Sequence, residues 1–255
     1  MYLSACIEWL FREEYPDFSD RVRAAKAQGF SHVEFHLWRD KPLAALAQAL
    51  EETGVTLSSF VVEPRRSLVD PAEHEQFLAA VSDSLAVSRQ LGSPPLVVAS
   101  GFSREGVAIA EQQAQAIHIL RQAATLAEAA GVTLLLEPLN TRIDHPGMFL
   151  NNTRLALDII EAVDSPRLLF DVYHSMVMEE EMEEVLGGRM HRVGHVQIAQ
   201  APDRNEPDPR SGEWPNVIAR LQRLGYNGAI GLEYKPSLPA AASVARAREA
   251  TGLSC

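Results

Sequence analysis

Residues 111–137, with the sequence EQQAQAIHILRQAATLAEAAGVTLLLE, contain the structural unit that the rest of the chain repeats. The first part of this segment carries apolar residues at steps of three and four, which is typical of an amphipathic helix. Gly131 follows the helical pattern, at a position where a residue that tolerates positive φ ends a helix. A short apolar run then leads to Glu137. The segment therefore predicts a helix, a glycine stop and a buried strand that ends at a carboxylate.

The same order recurs along the chain. Another amphipathic segment, residues 41–53, stops at Gly54 and is followed by an apolar run. Continuous apolar runs, as opposed to alternating ones, are typical of parallel strands covered on both faces. The eight runs that we predict as strands are residues 3–9, 32–36, 55–62, 96–100, 132–137, 168–172, 195–199 and 229–234.

Eight strand–helix units in 255 residues predict an α/β fold of the (β/α)₈, or TIM barrel, type. We expect residues 1–255 to form one domain, because barrels of this length are commonly single domains. A doubly wound sheet is the competing architecture. It is disfavoured because no glycine-rich G-x-G-x-x-G turn follows the first predicted strand.

Composition limits the class of protein and its partners. Hydrophobic residues make up 46% of the chain and charged residues 22%, which excludes a disordered or low-complexity protein. The formal net charge of −11 disfavours binding to nucleic acid. The two cysteines, Cys6 and Cys255, cannot form a disulfide framework, so we expect a cytoplasmic protein. An acidic N-terminus and the lack of a long apolar run predict neither secretion nor a membrane partner.

Four polar residues lie at the ends of predicted strands five to eight, where the active site of a barrel is found. They are Glu137, Asp171, Gln197 and Glu233, separated by 34, 26 and 36 residues. Each separation is about one strand–helix unit, so we expect the four side chains to face one point. Three carboxylates crowded together repel each other unless a cation neutralises them. We therefore predict a divalent metal site with hard oxygen donors, which favours Mg²⁺ or Mn²⁺. Taken singly, each residue is equally consistent with a salt bridge, a cap or a plain hydrogen bond.

Four further residues are candidates for substrate binding. His174 lies three residues after Asp171, from where it can donate to a substrate oxygen or hold a ligand carboxylate. Arg204 and Glu206 lie in the loop after strand seven and can contact an anionic or polyhydroxy substrate, or face solvent. Lys235 follows strand eight and is a candidate partner for a substrate carboxylate, as is Arg204.

Two histidines are predicted to be structural. His195 lies two residues before Gln197, so it shares that residue's side of the strand one layer deeper in the barrel. His36 lies near the end of strand two and can reach the pocket, although a lone histidine there is more often a satisfied structural residue.

Several motifs resemble the hydroxypyruvate isomerase branch of the xylose isomerase-like barrel superfamily over nearly the full chain. HVQIA, PDRNEPD, LGY and GLEYKP occur in the family order at residues 195–199, 202–208, 224–226 and 231–236. LEPLN at 136–140 and FDVYH at 170–174 resemble sugar isomerases and ketose 3-epimerases more broadly. The chain departs from the family at Asn205, where histidine is frequent, and in EFHLWR at 34–39.

The resemblance implies a function for the predicted site. In the family, the residues that match Glu137, Asp171, Gln197 and Glu233 bind the metal, and those that match the two glutamates transfer protons. It implies a metal-dependent isomerase that interconverts hydroxypyruvate and tartronate semialdehyde through an enediolate. Gln197 favours this branch, because many epimerase-like relatives have histidine there. Family habit also suggests a homo-oligomer.

Three alternatives remain open. The first is another sugar or sugar-acid isomerase or 3-epimerase with a small-molecule substrate and the same enediolate chemistry. The second is a metal nuclease resembling endonuclease IV, which uses a histidine-rich multi-zinc cluster. Strands three and four end near Glu63 and Ser100 without histidine ligands, which argues against the nuclease. The third is a catalytically silent sugar-acid binding protein.

Overall fold

Eight parallel strands hydrogen-bond in sequence order, and the eighth pairs with the first to close the sheet. The computed structural model describes residues 1–255. The strands are β1 (Tyr2–Cys6), β2 (His32–Glu34), β3 (Thr56–Val61), β4 (Leu96–Ala99), β5 (Leu134–Glu137), β6 (Arg167–Asp171), β7 (Val193–Ile198) and β8 (Ala229–Leu232). The predicted TIM barrel is confirmed.

Helices surround the barrel and connect its strands. They are α1 (Phe18–Ala27), α2 (Leu43–Thr53), α3 (His74–Gln90), α4 (Ile109–Ala130), α5 (Thr153–Val163), α6 (Val172–Val177), α7 (Met182–Leu186), α8 (Trp214–Arg223) and α9 (Ala240–Thr251). Helix α4 ends as predicted, because Gly131 takes a φ of +68° and its N–H caps the last turn at Ala127. None of the helices combines the length and hydropathy that crossing a membrane requires.

The first two strands are shorter than predicted. β1 ends at Cys6 because the chain turns there, and the N–H groups of Trp9 and Leu10 donate to the Cys6 carbonyl. Residues 7–14 therefore form a loop instead of a strand. β2 ends at Glu34. Because these strands end early, Trp9 and His36 lie in the loops that follow them and line the mouth of the barrel. In a continued strand, successive side chains would have pointed alternately inward and outward.

Apolar side chains pack on both sides of the sheet. A cluster of 66 buried residues fills the space between strands and helices. A separate small cluster of Val97, Leu135 and Leu169 lies on neighbouring strands, and Val97 borders the cavity described below. Glu137 and Asp171 lie two residues after Leu135 and Leu169, so they point to the same side one layer higher. The inner apolar layer is therefore the floor of the polar site.

Candidate active site

The carboxyl ends of β5, β6 and β8 bring three carboxylates together. Glu137, Asp171, His174 and Glu233 are all buried, and each offers one ligand atom within 4.8 Å of the others. Asp171 also begins helix α6, because its Oδ1 accepts a hydrogen bond of 2.8 Å from the Tyr173 N–H. This cap leaves Asp171 Oδ2 buried without a hydrogen-bond partner. The oxygen is therefore available to a cation or a substrate.

Gln197 joins this group through the register of the sheet, which pairs it with Asp171 across β6 and β7. Its Nε2 donates to Glu34 Oε1 over 2.7 Å, while its Oε1 is buried without a partner. The other oxygen of Glu34 accepts from His195 Nε2 over 2.7 Å, and His195 lies inside the barrel as predicted. Glu34 thus occupies the amide nitrogen of Gln197 and leaves the oxygen as the free atom.

The pKa values of the three carboxylates are shifted in different directions. Burial and the charges of Glu233 and Asp171 raise the pKa of Glu137 well above its ordinary value. Burial and the charge of Glu233 raise the pKa of Asp171 to about 8. Burial would also raise the pKa of Glu233, but Arg204 and the hydrogen bond from His36 outweigh it and lower that pKa. The cluster therefore holds more negative charge than its surroundings stabilise, which is the condition that a bound cation relieves.

The donor set fits a hard divalent cation. The three carboxylates and the amide oxygen of Gln197 are oxygen ligands of the kind that Mg²⁺ and Mn²⁺ prefer. Two of these oxygens, Asp171 Oδ2 and Gln197 Oε1, are buried and unpartnered, a state that costs free energy unless a ligand satisfies them. The residues present thus suit the metal site that the strand ends predict.

His174 is arranged as a hydrogen-bond donor. Its Nδ1 accepts from the Asn140 backbone N–H over 3.2 Å, so the neutral ring carries its proton on Nε2. Burial lowers the His174 pKa to about 3, which keeps the ring neutral at physiological pH. Nε2 has no hydrogen-bond partner and lies 3.5 Å from Asp171 Oδ2 and 3.8 Å from Glu137 Oε1. A protonated nitrogen in that position suits a substrate oxygen better than a metal.

Arg204 lies beside the carboxylates and pairs with one of them. Its Nη2 is 2.5 Å from Glu233 Oε2 and 3.8 Å from Asp171 Oδ2. The guanidinium lies over the rings of Trp9 and Tyr173, at 5.2 and 5.0 Å from their centroids. The structure therefore brings Arg204 to the site, with its charge directed at Glu233.

Glu206 and Lys235 are not brought to the same cavity. The carboxylate of Glu206 is buried and accepts hydrogen bonds from the N–H and Oγ of Ser237 at 2.9 and 2.6 Å. The side chain of Lys235 is exposed and lines a separate surface cavity with Glu13 and Glu14. Through these hydrogen bonds Glu206 connects its loop to the segment that follows β8. Lys235 lies outside the carboxylate cluster.

The cavity above the cluster has a volume of about 170 Å³. Three of its polar residues were not among the predicted site residues: His36, Arg65 and His145. His36 Nε2 donates to Glu233 Oε1 over 2.7 Å. Arg65 and His36 follow the ends of β3 and β2, so the strand-end rule that found the carboxylates applies to them as well. His145 lies in the loop after β5, which gives no comparable signal.

Comparison with known proteins adds independent support. The sequence model of the family described as "Xylose isomerase-like TIM barrel" matches residues 22–251. The chain is 34% identical to a 2-oxo-tetronate isomerase from Cupriavidus necator, over 86% of this chain and 87% of that protein. It is 31% identical to a putative hydroxypyruvate isomerase from Danio rerio, over 91% of this chain and 89% of that protein.

A solved structure titled as an AP endonuclease of family 2 from Brucella melitensis is also similar. It superimposes with a TM-score of 0.88 at 28% identity, covering 96% of this chain and 97% of that one. The family match spans most of the barrel, and the similar curated proteins described above are named as isomerases. The chain therefore belongs to the xylose isomerase-like TIM barrel family, and the protein is an isomerase.

Proposed function

We propose that this protein is a metal-dependent isomerase that interconverts hydroxypyruvate and tartronate semialdehyde. The observation that carries the proposal is the meeting of Glu137 and Glu233, from strands that lie three apart in the ring, with the Nε2–H of His174. Two carboxylates and one neutral donor are what a proton shift between neighbouring carbons requires. The names of the similar proteins, hydroxypyruvate isomerase and 2-oxo-tetronate isomerase, describe the same type of reaction.

The reaction moves two protons without a net change in composition. One carboxylate removes a proton from the carbon that bears the hydroxyl group, and the other delivers a proton to the former carbonyl carbon. A second proton moves from the hydroxyl oxygen to the carbonyl oxygen. We infer that Glu137 and Glu233 exchange the carbon-bound protons and that His174 Nε2–H stabilises negative charge on a substrate oxygen.

We infer that Glu137, Asp171, Gln197 and Glu233 would hold the divalent metal, Mg²⁺ or Mn²⁺. When bound, the metal would polarise the substrate oxygens and offset the negative charge that develops on them. Arg204 keeps Glu233 ionised and fixes its position through the 2.5 Å ion pair. The rings of Trp9 and Tyr173 in turn hold the guanidinium in place.

The test is ¹H NMR of the Mn²⁺-reconstituted protein with hydroxypyruvate in D₂O, with manganese removed by chelation before spectra are recorded. We expect tartronate semialdehyde to form and to carry deuterium. Glu137→Gln and Glu233→Gln should each lower kcat by at least about 100-fold, because each removes a proton-transfer group. Glu105→Gln, an exposed acid outside the site, is the matched control and should retain the wild-type rate. Equal rates in the three variants would refute the assignment.

The nearest competitor is an isomerase or 3-epimerase that acts on a longer sugar or sugar acid. Slow deuterium incorporation into hydroxypyruvate without product would favour that competitor, and a panel of ketoses and keto acids would then identify the substrate. The endonuclease title of the similar structure raises a nuclease reaction. The cluster holds three carboxylates and one histidine, and the net charge is −11, neither of which suits a zinc-rich DNA site. Cleavage of an abasic-site duplex by the metal-loaded protein would support the nuclease.

A further inference from the structure

A second cavity adjoins the active-site cavity on the side of β3 and β4. Its volume is about 510 Å³, and it shares Arg65, Ala99 and His145 with the inner cavity as lining residues. Arg66 and Arg104 lie on its other walls. A substrate that reaches Glu137 therefore has room to extend past Arg65 into a larger space.

Two of the three arginines of this outer cavity, Arg65 and Arg66, have no ion-pair partner in the protein. Arg65 forms neither an ion pair nor a side-chain hydrogen bond. Arg66 forms no ion pair, its Nε is buried without a partner, and its Nη1 contacts only the Arg65 carbonyl at 3.4 Å. Arg104 lies 3.9 Å from Asp70, which is a weak pair at best.

Both carboxylates that line the outer cavity accept hydrogen bonds from backbone N–H groups. Asp70 Oδ1 accepts from the Ala72 N–H over 3.1 Å, and Glu73 Oε2 accepts from the Ser67 N–H over 3.0 Å. Three arginines therefore outnumber two engaged carboxylates in this cavity, in a chain whose net charge is −11. Unpaired guanidinium groups that face a cavity are suited to bind an oxyanion with two parallel hydrogen bonds.

Arg204 and Lys235, the two cations that the sequence analysis proposed as partners of a substrate carboxylate, are less available to a substrate than Arg65 is. Arg204 is committed to Glu233 at 2.5 Å, and Lys235 lines a different cavity. Arg65 lines the inner cavity together with Glu137 and Glu233, so it borders the reacting end of the site directly. Of these three cations, only Arg65 is both unpaired and shared between the two cavities.

We propose that Arg65 binds the oxyanion of the substrate, and that Arg66 and Arg104 allow the same site to bind longer sugar acids or sugar phosphates in addition to hydroxypyruvate. The inference rests on the proposed function for the reacting end of the substrate and adds the group that recognises its charge. Carboxylate and phosphate share the chemistry that Arg65 recognises, so the experiment compares them at equal chain length.

The test uses three five-carbon compounds that have no aldehyde or ketone group and therefore cannot isomerise: ribitol, ribonate and ribitol 5-phosphate. Their binding to the metal-loaded protein is measured by calorimetry. We expect at least one of the two anions to bind about 10- to 100-fold more tightly than ribitol, because a charge-assisted hydrogen-bonded pair contributes an effect of that size. The tighter anion identifies the natural oxyanion as a carboxylate or a phosphate.

Arg65→Gln should remove this advantage, and Arg65→Lys should retain part of it, because lysine keeps the charge but not the two parallel donors. Arg89→Gln removes one charge from the exposed face of α3, away from both cavities, and should leave all three affinities unchanged. The inference is overturned if the anions bind no better than ribitol, or if Arg65→Gln and Arg89→Gln bind the anions equally well.

The binding experiment is independent of turnover. An Arg65-dependent affinity in a protein that does not isomerise hydroxypyruvate would support the oxyanion site and refute the proposed reaction. Turnover of hydroxypyruvate with anion binding that does not depend on Arg65 would support the reaction and refute the oxyanion site.

Discussion

Glu34 illustrates how a single buried residue can set the chemistry of its neighbours. It is 1% exposed and uses both carboxylate oxygens, one for Gln197 and one for His195. Gly231 allows this arrangement, because a Cβ at that position would lie 2.3 Å from Glu34 Oε1. An amide has no intrinsic preference for which end faces a site, so the acceptor next to it decides. Glu34 thereby occupies the amide nitrogen of Gln197 and leaves its oxygen free, on the strand next to Asp171.

Glu34→Gln should weaken the binding of Mn²⁺ by about 10- to 100-fold, the usual effect of removing a group that orients a metal ligand. The new amide offers only one acceptor, so Gln197 or His195 must turn away. The measurement is a calorimetric titration of the metal-free protein with Mn²⁺. Glu52→Gln, a partly exposed carboxylate paired with Arg23 on the surface, is the control and should bind as the wild type does. Identical affinities for both variants would show that Glu34 does not orient Gln197.

The loop between β7 and α8 carries Arg204 to the site, and its position depends on contacts with a distant part of the chain. The buried Glu206 accepts hydrogen bonds from Ser237, and Ser243 Oγ on α9 lies 3.3 Å from the same carboxylate. Burial alone would raise the pKa of Glu206, but the hydrogen bonds from Ser237 outweigh it and lower the pKa. The loop is thus attached to the segment after β8, which also carries Glu233.

Glu206→Gln should lower the free energy of unfolding by about 1–3 kcal/mol at pH 7, because it replaces hydrogen bonds to a charged acceptor. A lowered pKa in the folded state means that the stabilisation is complete above the ordinary glutamate pKa and is lost as pH falls through the lowered value. The difference from the wild type should therefore be constant from pH 8 to pH 5 and shrink below about pH 4. Urea unfolding at several pH values measures it, with Glu105→Gln as the control. A difference that does not shrink in acid would mean that the charge of Glu206 is not what stabilises the loop.

The closed barrel brings together candidate metal ligands from strands that are distant in sequence. Glu137, Asp171, Gln197 and Glu233 meet only after β5 to β8 have taken their places in the closed barrel. A cation that binds this group therefore binds the folded chain and not the unfolded one, and binding must stabilise the fold. The effect is measurable without any substrate.

Adding Mn²⁺ at about 100 times its Kd should stabilise the metal-free protein by about 2.7 kcal/mol. For a protein of this size that corresponds to a rise in Tm of about 5–10 °C, which EDTA should reverse. Asp171→Asn keeps an N-cap for α6 but removes the ligand charge, so its Tm should respond far less. Differential scanning calorimetry provides the measurement. A wild-type Tm that stays constant up to millimolar Mn²⁺ and Mg²⁺ would contradict the metal site.

Much of this architecture could be predicted because it depends on local sequence patterns. Helix periodicity, glycine stops and apolar runs are properties of neighbouring residues, and they predicted the eight-stranded barrel that the structure confirms. The carboxyl ends of the strands in a parallel barrel all lie at one face. The positions of Glu137, Asp171 and Glu233 at these ends therefore predicted that the three side chains would meet. The early end of β1 was missed because the turn after Cys6 itself contains residues that are common in strands, Ile7 and Trp9.

The fold and the strand-end carboxylates could thus be predicted from the amino-acid sequence, since both follow from spacing along the chain. Which charges are paired and which remain free depends on the three-dimensional arrangement of the folded chain. His36 contacts Glu233 across 197 residues, Arg204 is held by that same glutamate, and Glu206 is engaged by Ser237. Arg65 is left unpaired at the border of two cavities. Ion pairing depends on where side chains from segments far apart in sequence point, and a local sequence pattern does not contain that information.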